Sequence, residues 1–143
     1  MGKMNNDQLL ELLKNRAHYN GSFFVIGDIK GFNEYRKDNP KQKINFEGEN
    51  FDNLDLEGIN LRGAILRDCT FWGTKMAYSN LKGTNLKDVC FDEADLQGAS
   101  LWGSYLEGAT FSRANLYGVK VDSDGMKMLM DCIGIVAQNG WIS

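Results

Sequence analysis

The sequence predicts a β-solenoid: a four-sided β-helix of four coils over residues 44–123, with helical caps before and after it. Three observations predict it. A large apolar residue stands at every fifth position from Phe46 to Val121: Phe46, Phe51, Leu56, Leu61, Leu66, Phe71, Met76, Leu81, Leu86, Phe91, Leu96, Leu101, Leu106, Phe111, Leu116 and Val121. That period fits neither a helix face nor an alternating strand and signals a repeat. Around these centres, Asn or Asp precedes in half of the sixteen units and Gly follows by two residues in nine. Finally, Phe51, Phe71, Phe91 and Phe111 recur every twenty residues. Rings that return every fourth unit stack if each coil has four sides. Sixteen units then make four coils, a rod about 19 Å long at the usual strand spacing.

Each unit reads small, Asn or Asp, large, polar, Gly. Alternation puts the small and large residues on one face and the residue between them on the other. The last two positions turn the chain, and Gly accepts the positive φ that turns need. The Asn and Asp residues (Asn45, Asn50, Asp55, Asn60, Asn80, Asn85, Asp95 and Asn115) are placed to tie the turns through side-chain bonds to nearby backbone. A unit is thus a very short strand and a corner, and units must coil and stack to bury their apolar face. The first coil departs from the pattern, with Ile44, Glu49, Leu54 and Ile59 at the small positions. That wide end calls for an apolar cover, and residues 1–43 are the candidate. Glu49 there either bonds cap backbone or water, or is a buried acid with a raised pKa.

Ala94-Asp95-Leu96-Gln97-Gly98 and Ala114-Asn115-Leu116-Tyr117-Gly118 resemble the pentapeptide-repeat family, and the resemblance runs through residues 44–123. It implies a right-handed quadrilateral β-helix. Phe32-Asn33-Glu34-Tyr35-Arg36, followed by Asn39-Pro40, is similar to the lead-in helix of many bacterial members.

The ends read as helices. Residues 6–17 form an amphipathic pattern with Asn5 and Gln8 as a capping box, and Asn20-Gly21 marks its stop. That places His18, the only histidine, near a helix end. Phe23-Phe24-Val25-Ile26 reads as a strand or a packed turn, and a second helix runs from about Ile29 to Lys37, before Asn39-Pro40. Residues 125–137 suggest a third helix within a C-terminal segment, 124–143, rich in apolar residues. It either caps the last coil or, as in some members of the family it resembles, forms a homodimer contact through residues 125–141.

Composition excludes several functions. No apolar run reaches membrane-span length, and Leu9-Leu10-Glu11-Leu12-Leu13 is no signal-peptide core, so the expected location is cytoplasmic. Three cysteines without metal or disulfide spacing suit a reducing compartment, with Cys69 in the core and Cys90 facing out. No catalytic, cofactor-binding or metal-ligating constellation is found, so no cofactor and no enzyme activity are expected. Of the net charge of −3, residues 1–43 carry eight bases against five acids, and residues 44–124 carry seven against thirteen. An acidic repeat argues against direct nucleic-acid binding.

What remains is surface. Outward Trp72, Trp102, Tyr105 and Tyr117, with Asp52, Asp92, Glu93, Asp55, Glu57 and Asp95, form the candidate interaction surface. Rigidly held aromatics suit recognition of a protein partner, of identity unknown, and the same aromatics also stiffen a ladder by stacking. The alternative, implied by the resemblance, is a DNA mimic that binds a type II topoisomerase and protects it from quinolones. A duplex of about 19 Å carries about eleven charges at one per 1.7 Å. Residues 44–124 carry seven bases and thirteen acids, a poor match in charge though a fair one in shape.

Overall fold

The computed structural model describes residues 2–14, 16–19, 22–25 and 27–134. In chain order it contains α1 (Asn6–Lys14), β1 (Arg16–Tyr19), β2 (Ser22–Val25), α2 (Ile29–Asp38) and α3 (Ser123–Cys132). The repeat lies between α2 and α3.

Within the repeat, single residues bridge in parallel to the residue twenty further on. Asn45, Ile65, Asn85 and Tyr105 make one column. Asn50, Thr70, Cys90 and Thr110 make a second, Asp55, Lys75, Asp95 and Asn115 a third, and Asn60, Asn80, Ser100 and Lys120 a fourth. Each rung is one residue long, so the short strands expected of each unit reduce to isolated bridges between turns. The centre's N–H donates nineteen residues ahead, as Phe46 does to the Ile65 carbonyl at 2.9 Å. The bridging residue donates back to the coil below, as Ile65 does to Ile44 at 2.8 Å. Neighbouring coils therefore satisfy each other's backbone groups.

From Phe46 to Leu116, every centre's carbonyl accepts the N–H of the residue three further on, closing a β-turn. The second central residue of each turn has φ between +57° and +75°, at all fifteen positions from 48 to 118. This is the type II requirement. Nine of these residues are the expected Gly; the others are Asn53, Asp68, Tyr78, Asp88, Glu93 and Arg113. All eight Asn and Asp residues named from the sequence accept the N–H two residues on, as Asn50 does from Asp52 at 2.8 Å. These eight turns are thus closed twice, by backbone and by side chain.

The interior is a stack of superimposed side chains. Phe51, Phe71, Phe91 and Phe111 lie one above another with ring centroids 4.9, 5.2 and 5.3 Å apart. Polar atoms at inward small positions donate to carbonyls: Thr74 Oγ1 to Phe51, Thr84 Oγ1 to Leu81, and Cys69 Sγ to Phe46 at 2.9 Å. Cys69 is core, and burial pushes its thiol up to about 12.

At the wide first coil, Leu9 and Leu13 of α1 and Phe32 and Tyr35 of α2 bury with Ile44, Leu54 and Ile59. The capping box is formed: Gln8 N–H donates to Asn5 Oδ1 at 2.8 Å and Asn5 N–H to Gln8 Oε1 at 3.0 Å. Asn33 donates to the Gly58 carbonyl and accepts from Asn60 N–H, and Arg36 donates to the carbonyls of Gln42 and Arg62. Tyr35 Oη joins Met4 and Gln42 in one network. Glu49 is not a buried acid but reaches water, and it also gains a partner in the cap. It is half-exposed and pairs with Lys14 Nζ at 2.8 Å, and the same ammonium sits 5.0 Å from the Phe51 ring centre. A partner on α1, out of sight of the local pattern, decides the matter.

Three boundaries differ from the sequence reading. The first helix ends at Lys14, not 17, and His18 lies in β1 rather than near a helix end. β1 pairs antiparallel with β2 from Arg16↔Val25 to Tyr19↔Ser22. The Asn20-Gly21 dipeptide between them is a hairpin signal as well as a helix stop. The last helix starts at Ser123, earlier than 125, because Asp122 caps it by accepting Gly125 N–H at 2.7 Å. Its end at Cys132 replaces the expected 137, and residues 135–143 lie outside the described residues. Across the last coil, Leu129 joins the core and Cys132 Sγ donates to the Leu106 carbonyl.

Phe91 is sandwiched between two rings, whereas Phe111 is stacked on one side and is slightly exposed. Phe91→Ala is expected to cost about 3–5 kcal/mol and Phe111→Ala less. Denaturant melts measure both, and the reverse order would contradict the stack.

Candidate interaction surface

Each side of the rod presents its bridging column and the column just after the centres. On the second side, Asp52, Trp72 and Asp92 follow one another in a column, with Glu93 in the adjoining turn. The third side carries Asp55, Asp95, Glu57 and Tyr117. Trp102 stands on the fourth side and Tyr105 on the first. The four aromatics are exposed, Tyr117 most of all at 78%. The structure therefore brings Trp72 together with Asp52 and Asp92, but it distributes the four aromatics over four sides.

The acids are not loose. Thr70 and Thr110 occupy bridging positions where no Asn or Asp can hold the turn, and the coil below supplies the acceptor instead. Asp52 Oδ1 accepts Trp72 N–H at 2.8 Å and Asp92 Oδ1 accepts Ser112 N–H at 2.9 Å. Asp55 and Asp95 hold their own turns, and Asp95 also accepts from Asn115 Nδ2. Each of these four carboxylates is oriented by at least one backbone N–H. Glu93 faces Arg113 at 3.5 Å in an exposed pair worth little in stability. Glu57 is exposed, and the Tyr105 hydroxyl donates to Glu107. This anchoring role was invisible in the five-residue pattern because donor and acceptor lie twenty residues apart.

Tyr78 is a further exposed aromatic, with φ of +60° in a turn where Gly would be unstrained. Its ring lies against Gly98 one coil on. A Cβ at Gly98 would come within 2.7 Å of Tyr78 Cδ1 and Cε1. Asn53 and Gly73, and Asp88 and Gly108, repeat the arrangement. In these three pairs a side chain in a left-handed turn leans along the rod over a bare glycine, whereas Asp68 and Glu93 have Asp88 and Arg113 in the turn one coil on.

Among the described residues, no group of three or more His, Cys, Asp or Glu is placed to hold a metal ion. Nor is any helix long and apolar enough to cross a membrane. Burial raises the Cys132 thiol, with Asp131 adding to the effect, and burial lowers Arg36.

A five-residue unit, four units to a turn and turns closed by Asn or Asp define a quadrilateral repeat β-helix. Residues 44–121 match the model of the pentapeptide repeat region, and the chain belongs to the pentapeptide-repeat family. Similar solved structures include HetL, a pentapeptide repeat protein involved in heterocyst differentiation regulation from the cyanobacterium Nostoc sp. strain PCC 7120, with 25% identity and a TM-score of 0.35. Another is Rfr23 from the cyanobacterium Cyanothece 51142, with 23% identity and a TM-score of 0.29. The aligned part covers 57% of this chain in both cases, but only 40% of HetL and 61% of Rfr23. QnrB1, a plasmid-mediated fluoroquinolone resistance protein, aligns over 87% of this chain and 53% of its own, with 18% identity and a TM-score of 0.32. No curated protein matches the sequence.

The Tyr78–Gly98 contact makes a sharp test. Gly98→Ala is expected to cost about 1–3 kcal/mol from the left-handed backbone and the ring clash together. In a Tyr78→Gly background the cost should fall by more than about 0.5 kcal/mol. Additive melts of the single and double variants would contradict the contact.

Proposed function

We propose that this chain is a non-catalytic interaction module of the cytoplasm. It is a right-handed rod of four coils, closed at one end by α1 and α2 and at the other by α3, that binds a protein partner through its outer sides. One observation carries the reading. Exposed Trp72 and Trp102 stand on rungs whose backbone groups are paired with neighbouring coils, as Gly83 N–H is with the Trp102 carbonyl at 2.8 Å. Aromatics held this way lose little entropy on binding, the condition that favours anchor residues at interfaces. Association of two copies through residues 125–141 is the other arrangement open to the C-terminal segment.

A second reading, a DNA mimic acting on a type II topoisomerase, is favoured by one feature. Asp52, Asp92, Glu93, Asp55, Glu57 and Asp95 lie on two adjacent sides, four of them with carboxylates fixed by backbone N–H groups. Against it stand Arg62, Lys82 and Lys120 on the fourth side, where a duplex would carry phosphates.

Two assays separate the readings. With the interaction module, a saturable protein partner is recovered from native lysate, and its binding is lost on Trp72→Ala or Trp102→Ala. Gyrase supercoiling is unaffected by micromolar protein. Inhibition or quinolone protection that weakens when the six acids are changed to Asn or Gln would reverse the order. The amide keeps the turn bond and removes only the charge.

A further inference from the structure

We infer that the fourth side of the rod is a groove for a short acidic segment of a protein partner. The inference rests on the interaction-module reading and names the partner's chemistry for one of its sides.

The groove has a volume of about 370 Å³ and is lined by Arg62, Lys82, Trp102 and Asp122 over three glycines. A Cβ at Gly63 or Gly83 would meet nothing within 4 Å, and at Gly103 it would meet only Gly83 backbone at 3.9 Å. The floor is therefore bare backbone. Its N–H groups are already used: Gly63 donates to Lys82 and Gly83 to Trp102, both at 2.8 Å, and Gly103 donates to Asp122 at 2.9 Å. An added strand would find few ladder donors here, so recognition must come from the walls.

The walls are cationic and unneutralised. Among the described residues, the arginines on the first and second sides have carboxylate partners, Arg67 with Glu47 and Asp68, and Arg113 with Glu93. Among the described residues Arg62, Lys82 and Lys120 have none within 4.0 Å, as is true of Lys75 and Lys87, but only on the fourth side do two such cations, Arg62 and Lys82, follow one another in a column. The one acid in the groove, Asp122, does not serve them. Its Oδ1 accepts Gly125 N–H and its Oδ2 accepts Gly103 N–H, which holds the carboxylate on the backbone, and neither Arg62 nor Lys82 comes within 4.0 Å of it. Trp102, 54% exposed, adds an apolar anchor beside the free cations.

Dimensions set the kind of ligand. Gly63 to Gly103 spans two rungs, about 10 Å, or about three residues of extended chain. Alternate residues of such a chain point the same way about 6.6 Å apart, within the reach of Arg62 and Lys82 one rung from each other. Two carboxylates, two residues apart, fill the groove, with their methylene stems against Trp102 and the residue between them pointing away. A nucleic-acid strand fits less well. It needs a continuous cationic track, and here the track is short and ends at Asp122 and Asp124.

The test uses the full chain and three fluorescein-labelled probes at low salt: a Glu-Leu-Glu-Leu-Glu-Leu peptide, the same peptide with Lys for Glu, and a six-nucleotide oligo-dT. Saturable polarisation change is expected with the acidic peptide alone. Lys82→Glu should weaken it at least about tenfold, since charge reversal at a close pair removes attraction and adds repulsion. Trp102→Ala should weaken it too. Lys87→Glu, the same charge change on the first side, should leave it unaltered, with circular dichroism verifying each fold. No binding, equal binding of oligo-dT, or equal weakening by Lys87→Glu overturns the inference. If a Trp72-dependent partner is still recovered from lysate, the groove alone has failed; if none is, the module reading fails with it.

Discussion

The chain returns to the same angular position every twenty residues, and the backbone ladder created by that return is what the rest of the structure leans on. Phe46 N–H meets the Ile65 carbonyl, Leu66 N–H meets Asn85, and Leu86 N–H meets Tyr105. A one-residue error would turn inward side chains outward, because alternation has a period of two. The five-residue unit keeps the count. It spends three residues on a side and two on a corner, and four corners bring the chain round. Corner geometry then follows from register: each needs a positive φ at one position, whether or not Gly occupies it. Stacked Phe rings and superimposed small residues are a result of the ladder as much as a cause of it.

Much of this was legible in the residues. The large centres, the eight turn-holding Asn and Asp residues and the twenty-residue Phe column are local or strictly periodic, and such signals survive without a structure. Six left-handed residues were not legible, because Tyr78, Glu93 and Arg113 carry side chains that ordinarily avoid that region. Register overrides propensity there at a cost of roughly 1–2 kcal/mol each. Asp52 and Asp92 looked like surface charge, and their hold on Trp72 and Ser112 becomes visible only once residues twenty apart are neighbours. The Lys14–Glu49 pair joins an α1 lysine to a coil residue, a separation no periodicity reports. The hairpin of β1 and β2 is half legible: Asn20-Gly21 reads as a helix stop, and the helical pattern runs on into the start of β1.

The outer surface is where the fold leaves the sequence free. Inward positions are dictated by packing, and the corner positions by φ. The residues just after each centre face outward, and apart from Asp52, Asp92 and Asp122, which hold backbone N–H groups, they are the least constrained. On the second side they are Asp52, Trp72, Asp92 and Ser112; on the fourth they are Arg62, Lys82, Trp102 and Asp122. Columns on opposite sides of the same coils thus carry different charge and the same kind of aromatic anchor. Each side therefore offers a different surface, and the candidate residues gain meaning side by side rather than as one patch.

The central claim is that register, counted in twenties, specifies the fold. Deleting residues 65–84 joins Ala64 to Asn85 and removes one whole coil; deleting residues 65–69 removes a single unit. Thermal unfolding followed by circular dichroism compares the two proteins directly. The twenty-residue deletion should unfold cooperatively as a shorter rod. The five-residue deletion, which shifts every later side by one corner and separates the Phe column, should lose cooperative unfolding or aggregate. Equal cooperativity and stability in the two deletions would contradict the account.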